Sequence, residues 1–406
     1  MNRLSSRPPP TDLARLLEPV WPGCTVATSD AKTANPRAAT LRALPNAANV
    51  RLLVPADSPQ AAATALRQFN DGMTQTARIR KAVVGAALAT PMAPLFGTRV
   101  DVLMTDSETA SAVVDEIRGV FGRRRIKVAV FLGERLRPNR KPVVQILTDR
   151  GDVLGYVKVG GDPLTRRLVS NEADVLRSFG ASPPSAFRVP SLLHEADVGD
   201  ARLTVLSPLP HALFRRGRLG ASAPFDAVRE IAFRAGRRIQ PLSGSAYERA
   251  MRERLRAIED TERRAVLTRR FDAVVDASAR ADVTFGSWHG DWTPWNMSRT
   301  RSTLLVWDWE RSGGPVPVGF DVLHHRFLFR WRHTDASSVA SDTLNASRDV
   351  LRRLGVDDND HPRLLRLYLF ELLLRFEEGR DAGQAVPRAS AAIERALDTD
   401  IETIRR

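Results

Sequence analysis

One cysteine, Cys24, is all the sequence contains, so no internal disulfide can form and a disulfide scaffold is excluded. A reducing compartment fits that usage. Cys24 sits in a Pro-flanked N-terminal region without a catalytic partner beside it, and zinc-finger cysteine pairs are absent. No apolar run is long enough to span a bilayer; the longest candidate, Ala82 to Leu95, is broken by Gly, Thr and Pro. Met1 to Pro10 is polar and Pro-rich, without the apolar segment of a secretory leader. Together these absences predict a soluble, cytoplasmic protein. Internal repeats and low-complexity tracts are missing too. So is a Gly-rich phosphate loop: Gly133 to Asn139 holds a single glycine, which supports neither Gly-x-Gly-x-x-Gly nor a Walker A motif.

What is present is a chain of 406 residues, 43% hydrophobic, enough for a large core and two or three domains. The net charge of +14 is almost all arginine. Such a balance attracts nucleic acids, anionic membranes and phosphorylated ligands. The basic residues are scattered, however (Arg123 to Arg125, Arg215-Arg216, Arg237-Arg238, Arg263-Arg264, Arg269-Arg270), which reads as solvated faces and disfavours nucleic acid as a partner. A helix over Thr74 to Leu88 with Arg78, Arg80 and Lys81 on its polar side could rest on a membrane surface; packing against a core is the commoner outcome.

Along the chain, residues 1–45 read as loop apart from a short helix at Asp12 to Leu17. The pattern predicts strands at Asn49 to Pro55 and Arg99 to Met104, and helices at Gln60 to Phe69 and Ser107 to Phe121. Three β-rich runs follow, Ile126 to Leu132, Val143 to Thr148 and Val153 to Val159, forming an antiparallel meander. A helix from Pro163 to Phe179 and a strand at Arg202 to Leu206 come next. Beyond about 220 the chain is mainly helical, with Pro224 to Arg238, Ala246 to Asp276, Arg363 to Glu378 and a last helix from Pro387.

The chemistry concentrates in Ser287-Trp288-His289-Gly290-Asp291-Trp292-Thr293-Pro294-Trp295-Asn296 and Val306-Trp307-Asp308-Trp309-Glu310. A His, an Asp two on and an Asn five past the Asp has the spacing of a phosphotransfer loop. A hydroxyl attacking phosphorus needs its proton accepted and its oxygen aimed, and Asp291 can do both. Asn296 and Asp308 offer the hard oxygens that Mg²⁺ prefers beside phosphate. His289 is expected to fix the loop rather than act as base. His324 and His325 are read as ordinary, and Trp288, Trp292 and Trp295 as packing. Lys158, in the apolar strand Gly155 to Val159, needs an anion. Glu172 falls on the apolar stripe Leu164, Leu168, Leu176, Phe179, where an unpaired carboxylate is costly. A Lys158–Glu172 pair answers both and would aim Lys158 at nucleotide phosphates. In Ser207-Pro208-Leu209 the carbonyl of Ser207 and the N–H of Leu209 remain to meet a nucleobase, and a plain interdomain turn is the bland alternative.

These residues resemble those of the aminoglycoside phosphotransferase family and of the related choline and homoserine kinase branches of the protein-kinase-like fold. The resemblance is carried by His289 to Asn296 and Trp307 to Glu310 and covers roughly residues 125–400. It implies an α+β, bilobal fold: an antiparallel-sheet, nucleotide-binding N-lobe over 123–208 and a helical C-lobe over 209–406 carrying the catalytic loop, metal and acceptor site. Residues 1–122 would be an α+β extension without an assigned role. It also implies ATP and Mg²⁺ as cofactors, and transfer of the γ-phosphate to a hydroxyl of a small molecule such as a sugar or an aminoglycoside-like compound. Asp291 takes the place of the base, Asn296 and Asp308 those of the metal ligands, and Lys158 and Glu172 those of the phosphate-binding pair. Asp321 resembles an Asp that begins a helix and braces the loop. Acidic Glu377, Glu378 and Asp381 stand either for an acceptor pocket or for a solvated helix end. The competing readings are a catalytically silent kinase-like binding module and a basic nucleic-acid or membrane binder.

Overall fold

A computed structural model describes residues 11–28, 38–69, 75–90, 93–104, 107–132, 141–210, 224–278, 281–331, 339–381, 383 and 389–398. The loop Gly133 to Asn139 lies outside them. The chain forms two compact units, one of residues 1–177 and 190–209, the other of 178–189 and 210–406.

The first unit is built on one antiparallel sheet of nine strands: β1 (Cys24–Thr28), β2 (Ala38–Leu44), β3 (Leu52–Pro55), β4 (Thr98–Met104), β5 (Lys127–Phe131), β6 (Val143–Leu147), β7 (Val153–Gly160), β9 (Leu192–Val198) and β10 (Ala201–Leu206), in the spatial order β1-β4-β2-β3-β5-β6-β7-β10-β9. Its helices are α1 (Thr11–Leu17), α2 (Pro59–Gln68), α3 (Gln75–Leu88), α4 (Ser107–Phe121) and most of α5 (Pro163–Ala181). Strands of the first 122 residues and the meander β5-β6-β7 therefore share one sheet, joined where Leu52 faces Phe131 and Leu53 faces Val130. β1 and β2 occupy a stretch that the sequence pattern reads as loop. Their registers come from β4, some 70 residues away in the chain, so local periodicity carries little of the signal.

Strand alternation sorts the side chains between two cores. Val144, Ile146, Val157 and Val159 face α1 and α4 through Leu13, Leu17, Val113 and Ile117. Ala129 and Leu147 face the other way, onto Ala61, Ala62, Ala65 and Leu66 of α2. Lys158, between two valines of the first core, is thereby turned to the opposite face. β7 lies between β6 and β10, so Lys158 is not on an edge strand.

The second unit is mainly helical: α6 (Phe225–Phe233), α7 (Ala246–Arg256), α8 (Thr261–Asp276), α9 (Phe320–Trp331), α10 (Val339–Arg353), α11 (His361–Asp381) and α12 (Ala389–Asp398). Two small sheets complete it. One orders β11 (Arg238–Pro241), β12 (Asp282–Trp288) and β15 (Gly313–Pro317); the other orders β13 (Met297–Arg299), β14 (Leu304–Val306) and β8 (Phe187–Arg188). Two helical expectations are corrected here. The helix expected to run to Arg238 ends at Phe233, and Gly236 at φ 92° turns the chain into β11. The single helix expected over 246–276 is two, because Asp260 caps a new N-terminus by accepting the Arg263 N–H at 3.0 Å. The fold class is the expected one, an antiparallel-sheet unit followed by a helical unit. No helix among the described residues is long and apolar enough to cross a membrane.

Candidate active site

In the second unit, β12 delivers the chain into the loop at Trp288. The turn is made at Gly290, whose φ is 82°. A Cβ there would meet the Arg311 carbonyl oxygen at 2.1 Å, so only glycine fits. Asp321, in the first turn of α9, accepts the N–H groups of His289 at 2.7 Å and Gly290 at 3.1 Å. Burial pushes its carboxyl up to about 7, against the pull of those two donors and of Arg375.

His289 is fully buried, and both ring nitrogens are used. Nδ1 accepts the Asp291 N–H at 3.2 Å, which leaves Nε2–H to donate to the Trp307 carbonyl at 3.1 Å. Trp309 packs 4.3 Å from its ring centre. Burial lowers its pKa from 6.5 to about 4, so the ring is neutral and its contribution is to shape the loop. The unfolded chain protonates this histidine between those two values and the folded chain does not. Stability therefore falls as the pH drops through that window, by on the order of 3 kcal/mol from this residue alone. Between pH 7 and pH 4.5 the raised Asp321 carboxyl acts the other way and is common to both proteins, so denaturant titrations should show wild type losing more stability than His289→Gln, or gaining less, by about that amount.

Asp291 is clamped on both oxygens. Asn296 Nδ2 donates to Oδ2 at 2.7 Å and to the Asp291 backbone carbonyl at 3.0 Å, while His324 Nε2 meets Oδ1 at 3.0 Å. Burial pushes this carboxyl up, but the donors outweigh it and hold it at about 2. Asn296 and Asp308 are set by the β13–β14 hairpin, which pairs Met297 with Val306; just outside it, Trp307 N–H donates to the Asn296 carbonyl at 3.0 Å. Asp308 follows at φ 71°, among the described residues the one non-glycine in the left-handed region. Asp tolerates that region better than most residues, and such strain persists where the surroundings enforce it.

Two observations bear on a divalent cation. Since Asn296 uses Nδ2 on Asp291, its Oδ1 is the atom left to face a metal. Oxygens of Asp308 and Glu310 lie within 4.8 Å of one another, and like charges that close favour a cation. These oxygens could hold a divalent cation, Asn296 and Asp308 from the two ends of the hairpin with Glu310 beside them.

Two residues given no role by the sequence join the loop, His324 and Arg375. Reading His324 as ordinary is corrected: it lies one helical turn after Asp321 on α9, and that spacing was the available signal. Arg375 on α11 donates from Nη1 to the Gly290 carbonyl at 2.7 Å and from Nε to Glu371 at 3.0 Å, with its guanidinium 4.2 Å over the Trp288 ring. Arg254 Nη1 holds the other Glu371 oxygen at 2.8 Å. Burial would raise the Glu371 carboxyl, but the two arginines hold it at about 2. A Glu and an Arg four apart, flanking the apolar run Leu372-Leu373-Leu374, are the sequence signal.

Trp288 and Trp292 are buried, as packing predicts. Glu377 is buried against Arg263 at 2.8 Å, Glu378 meets Arg254 at 2.6 Å, and Asp381 accepts the Glu259 N–H at 3.1 Å. Glu377 and Glu378 thereby tie α11 to α8 and α7, while Asp381, half-buried, ends the helix.

In the first unit, Lys158 Nζ lies 2.6 Å from Glu172 Oε2, with the Glu172 side chain fully buried. α5 is seated on this face of the sheet, where Thr204 Oγ1 donates to the Val169 carbonyl at 3.1 Å. Lys158→Met should cost about 3–5 kcal/mol, because it strips a buried carboxylate of its cation. The double variant with Glu172→Leu should recover most of that, as chemical denaturation would show. Ser207 uses its N–H and hydroxyl on Ser191, at 2.9 and 2.8 Å. Its carbonyl and the Leu209 N–H have no hydrogen-bond partner among the described residues.

No protein-family model matches the sequence, and no curated protein matches it. Aminoglycoside phosphotransferases and a choline kinase, both named in the sequence resemblance, occur among solved structures similar to this chain. The choline kinase LicA from Streptococcus pneumoniae is 14% identical, with a TM-score of 0.46 over 72% of this chain and 98% of that one. A thermostable mutant of aminoglycoside phosphotransferase APH(4)-Ia, solved with ADP and hygromycin B, is 12% identical, with a TM-score of 0.47 over 71% and 98%. The amicoumacin kinase hAmiN, solved with AMP-PNP and Ca²⁺, is 14% identical, with a TM-score of 0.41 over 64% and 85%.

Proposed function

We propose that the protein is an ATP- and Mg²⁺-dependent phosphotransferase acting on a hydroxyl of a small molecule. The observation that carries this is the carboxylate of Asp291, clamped on both oxygens next to an asparagine whose own oxygen is left to face a metal. Asp291 orients the acceptor hydroxyl and takes its proton. Held at about 2, it is ionised throughout the neutral range and only weakly basic. Aiming the nucleophile is then its larger contribution, as suits a loose phosphoryl transition state. Asn296 and Asp308 would hold Mg²⁺, which when bound neutralises charge on the phosphates. Lys158, oriented by Glu172, is the group for the nucleotide phosphates, and the Ser207 carbonyl and Leu209 N–H are those for the base. His289 and Asp321 keep the loop in shape.

The acceptor class remains a small molecule bearing a hydroxyl, sugars and aminoglycoside-like compounds among them, and the setting is cytoplasmic. Glu371, Glu377 and Glu378 of α11 are engaged with arginines, so they offer little to a polycationic acceptor. The test is a screen of hydroxylated metabolites and aminoglycosides with γ-labelled ATP and Mg²⁺. Label appearing in an acceptor supports the reading. Nucleotide binding without transfer to any acceptor or to water would favour a silent binding module.

A further inference from the structure

His324 is absent from the roles proposed above, yet its geometry ties it to the reacting carboxylate. It is buried, with Nε2 at 3.0 Å from Asp291 Oδ1 and Nδ1 at 3.0 Å from the Tyr368 hydroxyl. We infer that His324 is a positioning residue of the phosphotransfer reaction: its Nε2–H fixes the rotation of the Asp291 carboxylate, and Tyr368 fixes the tautomer that supplies this proton. The inference rests on the proposed function, since it assigns a part within that site.

The chemistry leaves one arrangement. An ionised Asp291 cannot donate, so the proton in that contact belongs to His324 Nε2. A neutral imidazole then presents Nδ1 as an acceptor, and the Tyr368 O–H is the donor that meets it. Burial favours both the neutral ring and the intact phenol, lowering the histidine's pKa and raising the tyrosine's. The ring is further set edge-on to Tyr368, with centres 5.9 Å apart and planes at 83°.

The consequence lies in what remains free on the carboxylate. With His324 on Oδ1 and Asn296 on Oδ2, the group cannot rotate about its Cβ–Cγ bond without breaking a hydrogen bond. Each oxygen still keeps a second lone pair for the acceptor hydroxyl. The clamp also shares its origin with the brace. Asp321 and His324 lie three residues apart on one face of α9, so a single rigid element holds the loop backbone through the first and the Asp291 side chain through the second.

The test uses the full chain with His324→Ala, His324→Gln and Tyr368→Phe. It reads steady-state kinetics with Mg²⁺-ATP and the best acceptor from the screen, and the tautomer of ¹⁵N-labelled histidine by NMR. A glutamine amide can present a donor near the position of the imidazole Nε2. The expected result is a fall in kcat of about 10²-fold for Ala, at an ATP KM within about threefold of wild type. Gln should return to within about tenfold of wild type. Wild type should show the Nε2–H tautomer at His324, and Tyr368→Phe a mixture of tautomers with an intermediate kcat. Unchanged turnover in His324→Ala would overturn the assignment. So would equal loss in Ala and Gln accompanied by a drop in thermal stability, which marks a merely structural histidine, and so would an Nδ1–H tautomer in wild type. A wild type that turns over neither acceptor nor water removes the proposed function and this role with it, whereas an active wild type beside an unaffected Ala variant removes His324 alone.

Discussion

Asp291→Asn should lower kcat by about 10²–10⁴-fold and leave the ATP KM nearly unchanged. The substitution is close to isosteric, but the site punishes it twice. An amide cannot take the hydroxyl proton. It also cannot satisfy its neighbours: Asn296 Nδ2 and His324 Nε2 both donate to this side chain, and an amide offers an oxygen to one of them and an NH₂ group to the other. The opposed donors cost about 1–3 kcal/mol and twist the group from its place. Thermal melts should therefore show a modest loss, and single-turnover transfer of labelled phosphate a large one. Turnover within tenfold of wild type would remove Asp291 from the centre of the chemistry.

Asp308→Asn should abolish Mg²⁺-supported transfer, with a loss of about 10²–10⁴-fold at saturating metal. Asparagine is the informative replacement because of the backbone. At φ 71° an alanine would add strain of about 1–2 kcal/mol, mixing a folding defect into the result. Asn occupies the left-handed region nearly as readily as Asp, so this variant removes the charge and keeps the turn. It also leaves Glu310 as the one carboxylate of the close pair. Metal titrations followed by calorimetry in the presence of ATP should show weaker Mg²⁺ binding, and an unchanged metal dependence of turnover would contradict the assignment.

The features legible in the sequence are those whose reasons are local or periodic. Lys158 interrupts a run of strand residues, and Glu172 interrupts a helical stripe. Each anomaly asks for the other, and they lie 2.6 Å apart. Asn296 and Asp308 flank a hairpin short enough to read directly. The parts that stayed hidden are made by tertiary contact. For His324 the one local signal is its place a turn after Asp321; the Asp291 carboxylate it meets lies 33 residues earlier. Arg375 reaches the Gly290 carbonyl across 85 residues. The fold divides in the same way. The meander β5-β6-β7 and helices α4 and α5 follow their own periodicity. β1 and β2 are strands because β4 gives them partners, and the 246–276 stretch divides at Asp260 because a cap competes with a continuous helical pattern.

The shared sheet of the first unit has a consequence for how this protein can be handled. A chain cut near residue 122, where the sequence pattern places a boundary, would leave β5 as an open edge with its backbone donors and acceptors toward β3 exposed to other molecules. It would also uncover Val144, Ile146, Val157 and Val159, which α1 and α4 now shield from water. Such a fragment is a template for strand-to-strand aggregation rather than a minimal enzyme. The N-terminal residues are thus part of the scaffold on which Lys158 is held, and any truncated form meant to fold must keep them.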